Sequence, residues 1–438
     1  MSTEIRDVSP REIKGKRNFA WLILIGCCFI QAGGMGGIIN TAGIFLIPIT
    51  IDLDFGRAEF SLWLTILYLS SSLAMPFIAR IINDKNFKPI LITTLLISIA
   101  AFAATAFYNS VWQWYISGLI LGVIGSFNFI CLTPILMENW FYKKTGMAVG
   151  IAMACSALGG AIFSIGSTEL IAIFGSWRIA TMLVSAVVFA MVIPWAVFVL
   201  QFKPSAKGLL PYGYEESPAA AASSGSGTMP LEAGVPFKRA VFTFAFVALF
   251  IFAGIDALFG GYNSQFPGFA LSVGLGEADG AFMLSLVMIG CVFFSVILGI
   301  AADRFGVAKA TYVSLAVVAI CLLLFVFVKG KVSLYILSFI FGMSGTGIAV
   351  CLPLLISKVF GKRDYAAILS LTRMGTGIIG SFGPALIALS FDKTGQYGAA
   401  FIGGIIVLAV CALLIFFALR PGRQIPWESE SHQATALD

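Results

Sequence analysis

The chain alternates long apolar runs with short polar breaks, and that rhythm predicts its architecture. A helix needs about 20 mostly apolar residues to cross a bilayer. Twelve stretches meet the requirement: 19–48, 59–82, 89–108, 111–137, 146–173, 178–200, 240–263, 278–302, 307–328, 332–357, 365–390 and 398–419. The pattern predicts an all-α membrane protein of twelve transmembrane helices. The first run is too long for a signal-peptide core, has acids in its flank and lacks a small-residue cleavage site, so it reads as a retained helix. An even number of spans puts both termini on one side.

The polar breaks assign that side. With the twelve spans in place, 21 Lys and Arg residues lie in the tails, loops and helix ends on the side of the termini, 5 lie on the other side, and Arg373 alone falls deep inside a span. The positive-inside rule then predicts cytoplasmic termini. One break is long. Residues 201–238 hold Pro204, Pro211, Pro218, Pro230 and Pro236 and a run of Ala, Ser and Gly from Ala219 to Gly227, a composition that suits a flexible linker. The expected organisation is a tail at 1–18, a six-helix bundle at 19–200, a cytoplasmic linker at 201–238, a second bundle at 239–420 and a tail at 421–438.

Composition closes off other classes. Charged residues make up 11% of the chain, hydrophobic residues 59%, and the mean hydropathy is +0.98. Soluble proteins carry roughly 25% charged residues, and a soluble globule could not hide so much apolar surface. The eight cysteines all lie in apolar runs with no CxxC pair, which fits small packing residues rather than zinc or redox chemistry. The single histidine, His432, sits in the C-terminal tail, so a buried histidine relay is excluded. No GxxxxGK[ST] phosphate loop occurs, which disfavours a primary pump. No cofactor, metal or nucleic-acid partner is expected.

The two halves match without gaps. Pro48 and Pro267, Asp84 and Asp303, Lys85 and Arg304, Pro134 and Pro353, Phe141 and Phe360, and Lys143 and Lys362 all stand 219 residues apart. Six spans restore the starting orientation, so the repeat is parallel, and two such halves flanking a midplane site follow the logic of alternating access.

The loop after span eight reads Gly299-Ile-Ala-Ala-Asp303-Arg304-Phe-Gly306, and it resembles the GxxxDRxGR signature of the major facilitator superfamily. Its first-half counterpart, Arg80-Ile-Ile-Asn83-Asp84-Lys85-Asn-Phe87-Lys88, keeps the acid–base pair and loses both glycines. An Asp at a helix end beside cations can form a network that holds one gated state shut; the alternative is a charge cluster that only fixes topology. Three further segments resemble the monocarboxylate transporter and oxalate:formate antiporter branch, as found in bacteria. They are Trp140-Phe141-Tyr142-Lys143-Lys144-Thr-Gly146-Met-Ala148-Val-Gly150, Pro204-Ser-Ala-Lys207-Gly208-Leu-Leu-Pro211-Tyr212-Gly213 and Phe174-Gly175-Ser-Trp177-Arg178. The resemblance implies a multi-pass protein of a bacterial inner membrane.

Arg373 is the most informative residue. It lies about 12–15 Å into span eleven at 1.5 Å per residue, and a cation that deep faces a cavity or a partner. Its repeat mate is Ala154, so the fold does not demand the charge. By resemblance it takes the place of the Lys on span eleven of the oxalate:formate antiporter. It can anchor a substrate carboxylate bidentately or complete an intramembrane ion pair. Asp256 on span seven is the pairing candidate; as a carboxyl group in an apolar setting it can bind and release a coupling proton, or it can simply hydrogen-bond within the bundle. Gln31 and Asn40 on span one and Asn128 on span four join Arg373 as candidate substrate contacts, while Glu138 and Glu169 read as interfacial structural groups. The branch often carries further cations on spans eight and one; here span eight has only Asp279 at its outer end and span one has no charge. One buried cation suits a monoanion better than a compact dianion. Clustered glycines on spans one, five, ten and eleven read either as close helix packing or as gating hinges.

The expected function is secondary transport of small, monocarboxylate-like organic anions by alternating access, through proton symport or anion exchange, by a monomer in the lipid bilayer. The alternative is an efflux carrier for amphipathic or drug-like compounds, in which transport would survive loss of Arg373. An enzyme is not expected, because the chain has no nucleophile–base set.

Overall fold

A computed structural model describes residues 10–54, 57–82, 84–214, 234–380 and 382–420. The Ala/Ser/Gly run of the linker, Asn83 and His432 lie outside the described residues.

The twelve spans are all helical. Span one runs Pro10–Ile30, Gln31–Asn40 and Ala42–Asp52; span two is Arg57–Ile81; span three is Phe87–Ala104; and span four is Val111–Gly125, Ser126–Cys131 and Leu132–Trp140. Span five is Thr145–Phe174 and span six Trp177–Pro194 with Trp195–Val199. Span seven is Phe244–Leu258 and Gly260–Ser272, span eight Glu277–Phe305 and span nine Val307–Phe327. Span ten runs from Lys331–Phe341 to Leu352–Phe360, span eleven is Tyr365–Gly380 and Gly383–Thr394, and span twelve is Gly398–Ala418. Ten of these helices are long and apolar enough to cross a membrane on their own. Span two is diluted by Ser70, Ser71 and Ser72, and span eleven is described in two pieces. Large apolar side chains such as Phe77, Ile165, Phe198 and Ile406 are exposed on the outside of the bundle, where a soluble protein would expose charge.

Buried hydroxyls enter these apolar helices by returning to their own backbone. Thr41 Oγ1 donates to Gly37 O at 2.6 Å and Ser338 Oγ to Leu334 O at 2.8 Å, so neither group needs a distant partner. Several spans wind into π-helical turns at Gln31–Asn40, Ser126–Cys131 and Gly347–Cys351. The last two are repeat equivalents, since Asn128 and Gly347 stand 219 residues apart. Such turns widen the helix and expose backbone, and they recur at functional sites.

One expectation changes. The first part of the linker is not a flexible tether. Tyr212 N donates to Trp140 O at 2.8 Å, Tyr142 N donates to Tyr212 O at 2.9 Å, and Trp140 Nε1 donates to Gln201 O at 2.9 Å. Trp21 sets its ring edge-on to both Phe141 and Tyr212, each at 5.6 Å between centroids. Aromatic burial and backbone pairing outweigh the turn-forming Pro and Gly residues. Two of the segments with family resemblance therefore form one small structure. The third, around Trp177-Arg178, is a clamp on the opposite face: Trp177 Nε1 donates to Asp52 at 2.9 Å and Arg178 to the carbonyls of Ala106 and Tyr108, tying together the ends of spans one, three and six. A second clamp on that face joins spans eight and ten, where Asp279 accepts from Tyr335 at 2.6 Å and pairs with Lys331 at 2.7 Å. Lys331, Tyr335 and the Gly276 amide hold the Asp279 carboxyl down at about 2. A lowered carboxyl stabilises the fold above its unfolded value near 4 and stops doing so as pH falls through about 2. Changing pH from 7 to 5 is therefore expected to leave this clamp intact, with equal proteolytic protection of the loop before span eight at both values.

Candidate functional site

The site lies on the seam between the halves. Span eight crosses span five at the face that carries the termini. Gly146 and Gly150 stack against Gly299 and Ser295, and a Cβ placed on Gly146 would come within 2.6 Å of Gly299 O. Small residues at four-residue spacing permit this backbone contact. The Asp303 carboxylate closes it: Oδ1 accepts from Gly146 N at 2.8 Å and Oδ2 from Met147 N at 2.7 Å. Those amides belong to the first turn of a 30-residue helix, where free N–H groups and the helix dipole favour an anion. Gly306 follows with φ +88°, a turn that a side chain would strain. Arg304 is exposed, as are Asp84 and Lys85 of the first-half counterpart. The structure thus brings Gly299 and Asp303 to the seam and leaves Asp84 at the edge of a cleft.

A second contact sits between spans four and ten. Glu138, 5% exposed, accepts from Ser357 Oγ at 2.6 Å and pairs with Lys362 Nζ at 3.2 Å; Lys362 also donates to the Glu138 carbonyl at 2.8 Å. Glu138 and Ser357 are repeat mates, 219 residues apart. Equivalent residues can touch only near the axis that relates the halves, so this trio forms a floor on the pseudo-twofold axis. Sequence reading put Glu138 at an interface with a structural role, named Lys362 only as the repeat mate of Lys143, and did not single out Ser357. The 219-residue offset between an acid and a hydroxyl was the available signal.

Arg373 lies deeper, 6% exposed, on the face of span eleven that meets span four, with Cys131 and Tyr365 as its electrostatic neighbours. Cys131 precedes Glu138 by seven residues, so Arg373 stands about 10 Å above the floor. Tyr365 is 4% exposed and senses both Glu138 and Arg373, linking the two levels. Span eleven is wedged between span seven, where Gly375 meets Phe250, and span two, where Gly377 meets Ser72.

Other candidates are placed elsewhere. The Asp256 carboxylate lies against Gly347 of span ten, with Cys351 and Cys411 as electrostatic neighbours, inside the second half. Gln31 is 1% exposed and donates to Phe129 O and Thr133 Oγ1, each at 2.9 Å, tying span one to span four. Asn128 is fully buried and accepts from Thr94 on span three at 3.0 Å, while its Nδ2 has no hydrogen-bond partner among the described residues. Asn40 is exposed and donates to Ser156 O at 3.2 Å. Replacing Gln31 by leucine is expected to cost about 1–3 kcal/mol, because Phe129 O loses a buried donor. The readout is a lower unfolding midpoint in detergent at unchanged substrate KM.

The profile of the Major Facilitator Superfamily matches residues 22–276 and 248–437, the whole membrane region. The chain belongs to the major facilitator superfamily. Monocarboxylate transporter 12 of Xenopus laevis is 22% identical over 91% of this chain and 88% of its own length. The transporter ESBP6 of Saccharomyces cerevisiae is 25% identical over 50% of the chain, and the riboflavin transporter MCH5 of the same yeast 27% identical over 33%. These two alignments span only about a third of each yeast protein, 32% and 28%. Among solved structures, the superfamily transporter FucP in an outward conformation aligns over 92% of this chain and 100% of its own, with a TM-score of 0.67 at 15% identity. A variant of the E. coli fucose:proton symporter FucP gives 0.63 at 16% identity, covering 92% of this chain and 98% of its own. The superfamily fold accounts for the twelve helices in two pseudo-symmetric six-helix bundles, and the chain is a multi-pass membrane protein of transporter type.

Proposed function

We propose that this superfamily member is a secondary carrier of small monocarboxylate-like anions, with Arg373 as the carboxylate anchor and both termini in the cytoplasm. One observation carries the reading: a single guanidinium is buried on the seam, above a closed floor, at a position where the repeat-equivalent residue is alanine. Burying a cation in a bilayer is costly unless an anion or a cavity meets it, and a guanidinium presents a fork that matches a carboxylate. The resemblance of 140–150 and 204–213 to the monocarboxylate branch, and the similarity to monocarboxylate transporter 12, support the same substrate class.

In this reading the contacts on the termini face define the state open to the other side. An anion entering from there meets Arg373, the halves rock, and the Glu138–Lys362 and Asp303–Gly146 contacts break to release it. Those contacts combine charge with desolvation, which largely cancel. Both states can then stay within a few kcal/mol of each other, as turnover requires. The test is competition in proteoliposomes. Unlabelled lactate is expected to inhibit labelled lactate uptake, and lactamide, which has the same shape and no charge, is not; equal inhibition by the two would remove the anchor.

Asp256 is the proposed coupling group. Asp256→Asn is expected to abolish accumulation driven by a pH gradient while counterflow continues. Intact accumulation would exclude it as the proton site.

A further inference from the structure

The repeat that builds the seam is broken in one place. At the offset of 219, Asp303 corresponds to Asp84, and Gly146 to Tyr365. The first pair locks span eight to span five. Where the second would lock span two to span eleven, there is instead a cleft of about 710 Å³, lined in part by Asp84 and Tyr365. The close contact of this pair sits deeper. Span two meets span eleven at Ser72 and Gly377, and the mate of Gly377 is Leu158, eight residues beyond Gly150. The cleft therefore opens on the termini face, between the end of span two, the start of span eleven and the described ends of the linker.

Its charge is one-sided. Among the described residues, Lys203, Lys238, Lys362 and Arg363 line it, against Asp84 and Asp364. Asp364 already accepts from Phe237 N at 2.6 Å. With Lys362 held by Glu138, the described lining keeps one cation in excess, which matches an anion, and a guanidinium with several ammonium groups is a donor set for phosphate. Lys362 belongs to two places at once: it lines the cleft, and it holds Glu138 across the seam.

We propose that this cleft binds a phosphate-bearing anion and that its occupancy draws Lys362 away from Glu138, loosening the floor on the termini face. Phosphate from solution and the headgroup of an anionic lipid share this chemistry. The site is distinct from Arg373, and its binding test needs no transported substrate, so it stands or falls apart from the carboxylate reading.

The experiment uses the full chain in nanodiscs of phosphatidylcholine, with radiolabelled inorganic phosphate as the probe. A parallel arm compares phosphatidylglycerol with phosphatidylcholine discs. Hydrogen exchange is followed at residues 145–150 and 299–305, which lie outside the cleft. Saturable phosphate binding that weakens at least tenfold in Lys203→Gln/Lys238→Gln, with faster exchange at 145–150 on binding, supports a solution anion. Faster exchange in phosphatidylglycerol alone, lost in the double variant, supports a lipid headgroup. Glu138→Gln serves as the second variant: its exchange is expected to be fast already and unresponsive to the anion. A double variant that behaves as wild type in both arms overturns the proposal, as does exchange at 145–150 that slows on binding.

Discussion

Arg373→Ala is expected to lower the specificity constant for carboxylate uptake by roughly 100- to 1000-fold. A buried carboxylate that loses its only cation forfeits about 3–4 kcal/mol, since removing one partner of a buried pair leaves the other charge uncompensated, and each 1.4 kcal/mol is tenfold. Arg373→Lys keeps the charge and loses the fork, so a drop of about tenfold is expected. Two measurements separate anchoring from folding. Arg373→Lys should keep the wild-type unfolding midpoint, because it retains a cation at the buried position. The loss should also disappear for an uncharged substrate analogue. Uptake by Arg373→Ala within threefold of wild type would favour a carrier of amphipathic compounds instead.

Much of this was legible in the sequence, and for a physical reason. A bilayer imposes one length and one composition on every span, so the helices and the break between the halves can be read without any knowledge of packing. The depth of Arg373 followed from its count along span eleven. What sequence could not supply was azimuth. Gln31, Asn128 and Asp256 all lie inside spans, as Arg373 does, yet Gln31 turns to span four, Asn128 to span three and Asp256 to span ten. A change of about 100° per residue, altered again by the π turns at Gln31–Asn40 and Ser126–Cys131, decides which of them reaches the seam. Glu138 was legible as a structural group near the membrane face, but its partners were not, because they come from the other half, more than 200 residues away. Of the linker at 201–238, residues 201–214 pack because Trp21 and Phe141 offer an aromatic surface that Pro and Gly content does not reveal.

Gly299→Val is expected to reduce transport by at least 30-fold while leaving the protein folded. The argument rests on backbone separation. A Cβ on Gly299 would overlap the Gly146 carbonyl and come within 3.2 Å of Met147 Cα, so the obstruction is main chain and cannot rotate away. Valine's two further methyl groups push spans five and eight apart by at least an ångström. The Asp303 carboxylate then moves out of reach of the Gly146 and Met147 amides, which it now meets at 2.8 and 2.7 Å. Charge-assisted bonds of this kind contribute about 1.5–3 kcal/mol each when buried; here Asp303 is partly exposed, so a combined loss of about 2 kcal/mol is the reasonable expectation. That alone biases the closed state roughly 30-fold, and the steric term adds to it. Gly403→Ala is the matched control, because a Cβ there meets nothing within 4 Å and span twelve is unaffected. Accessibility separates a blocked gate from a damaged fold: in Gly299→Val, amides 145–150 should exchange faster while those of span six stay protected. Wild-type transport in Gly299→Val would show that the termini face need not close to this depth, and the seam between spans five and eight would then be packing rather than a gate.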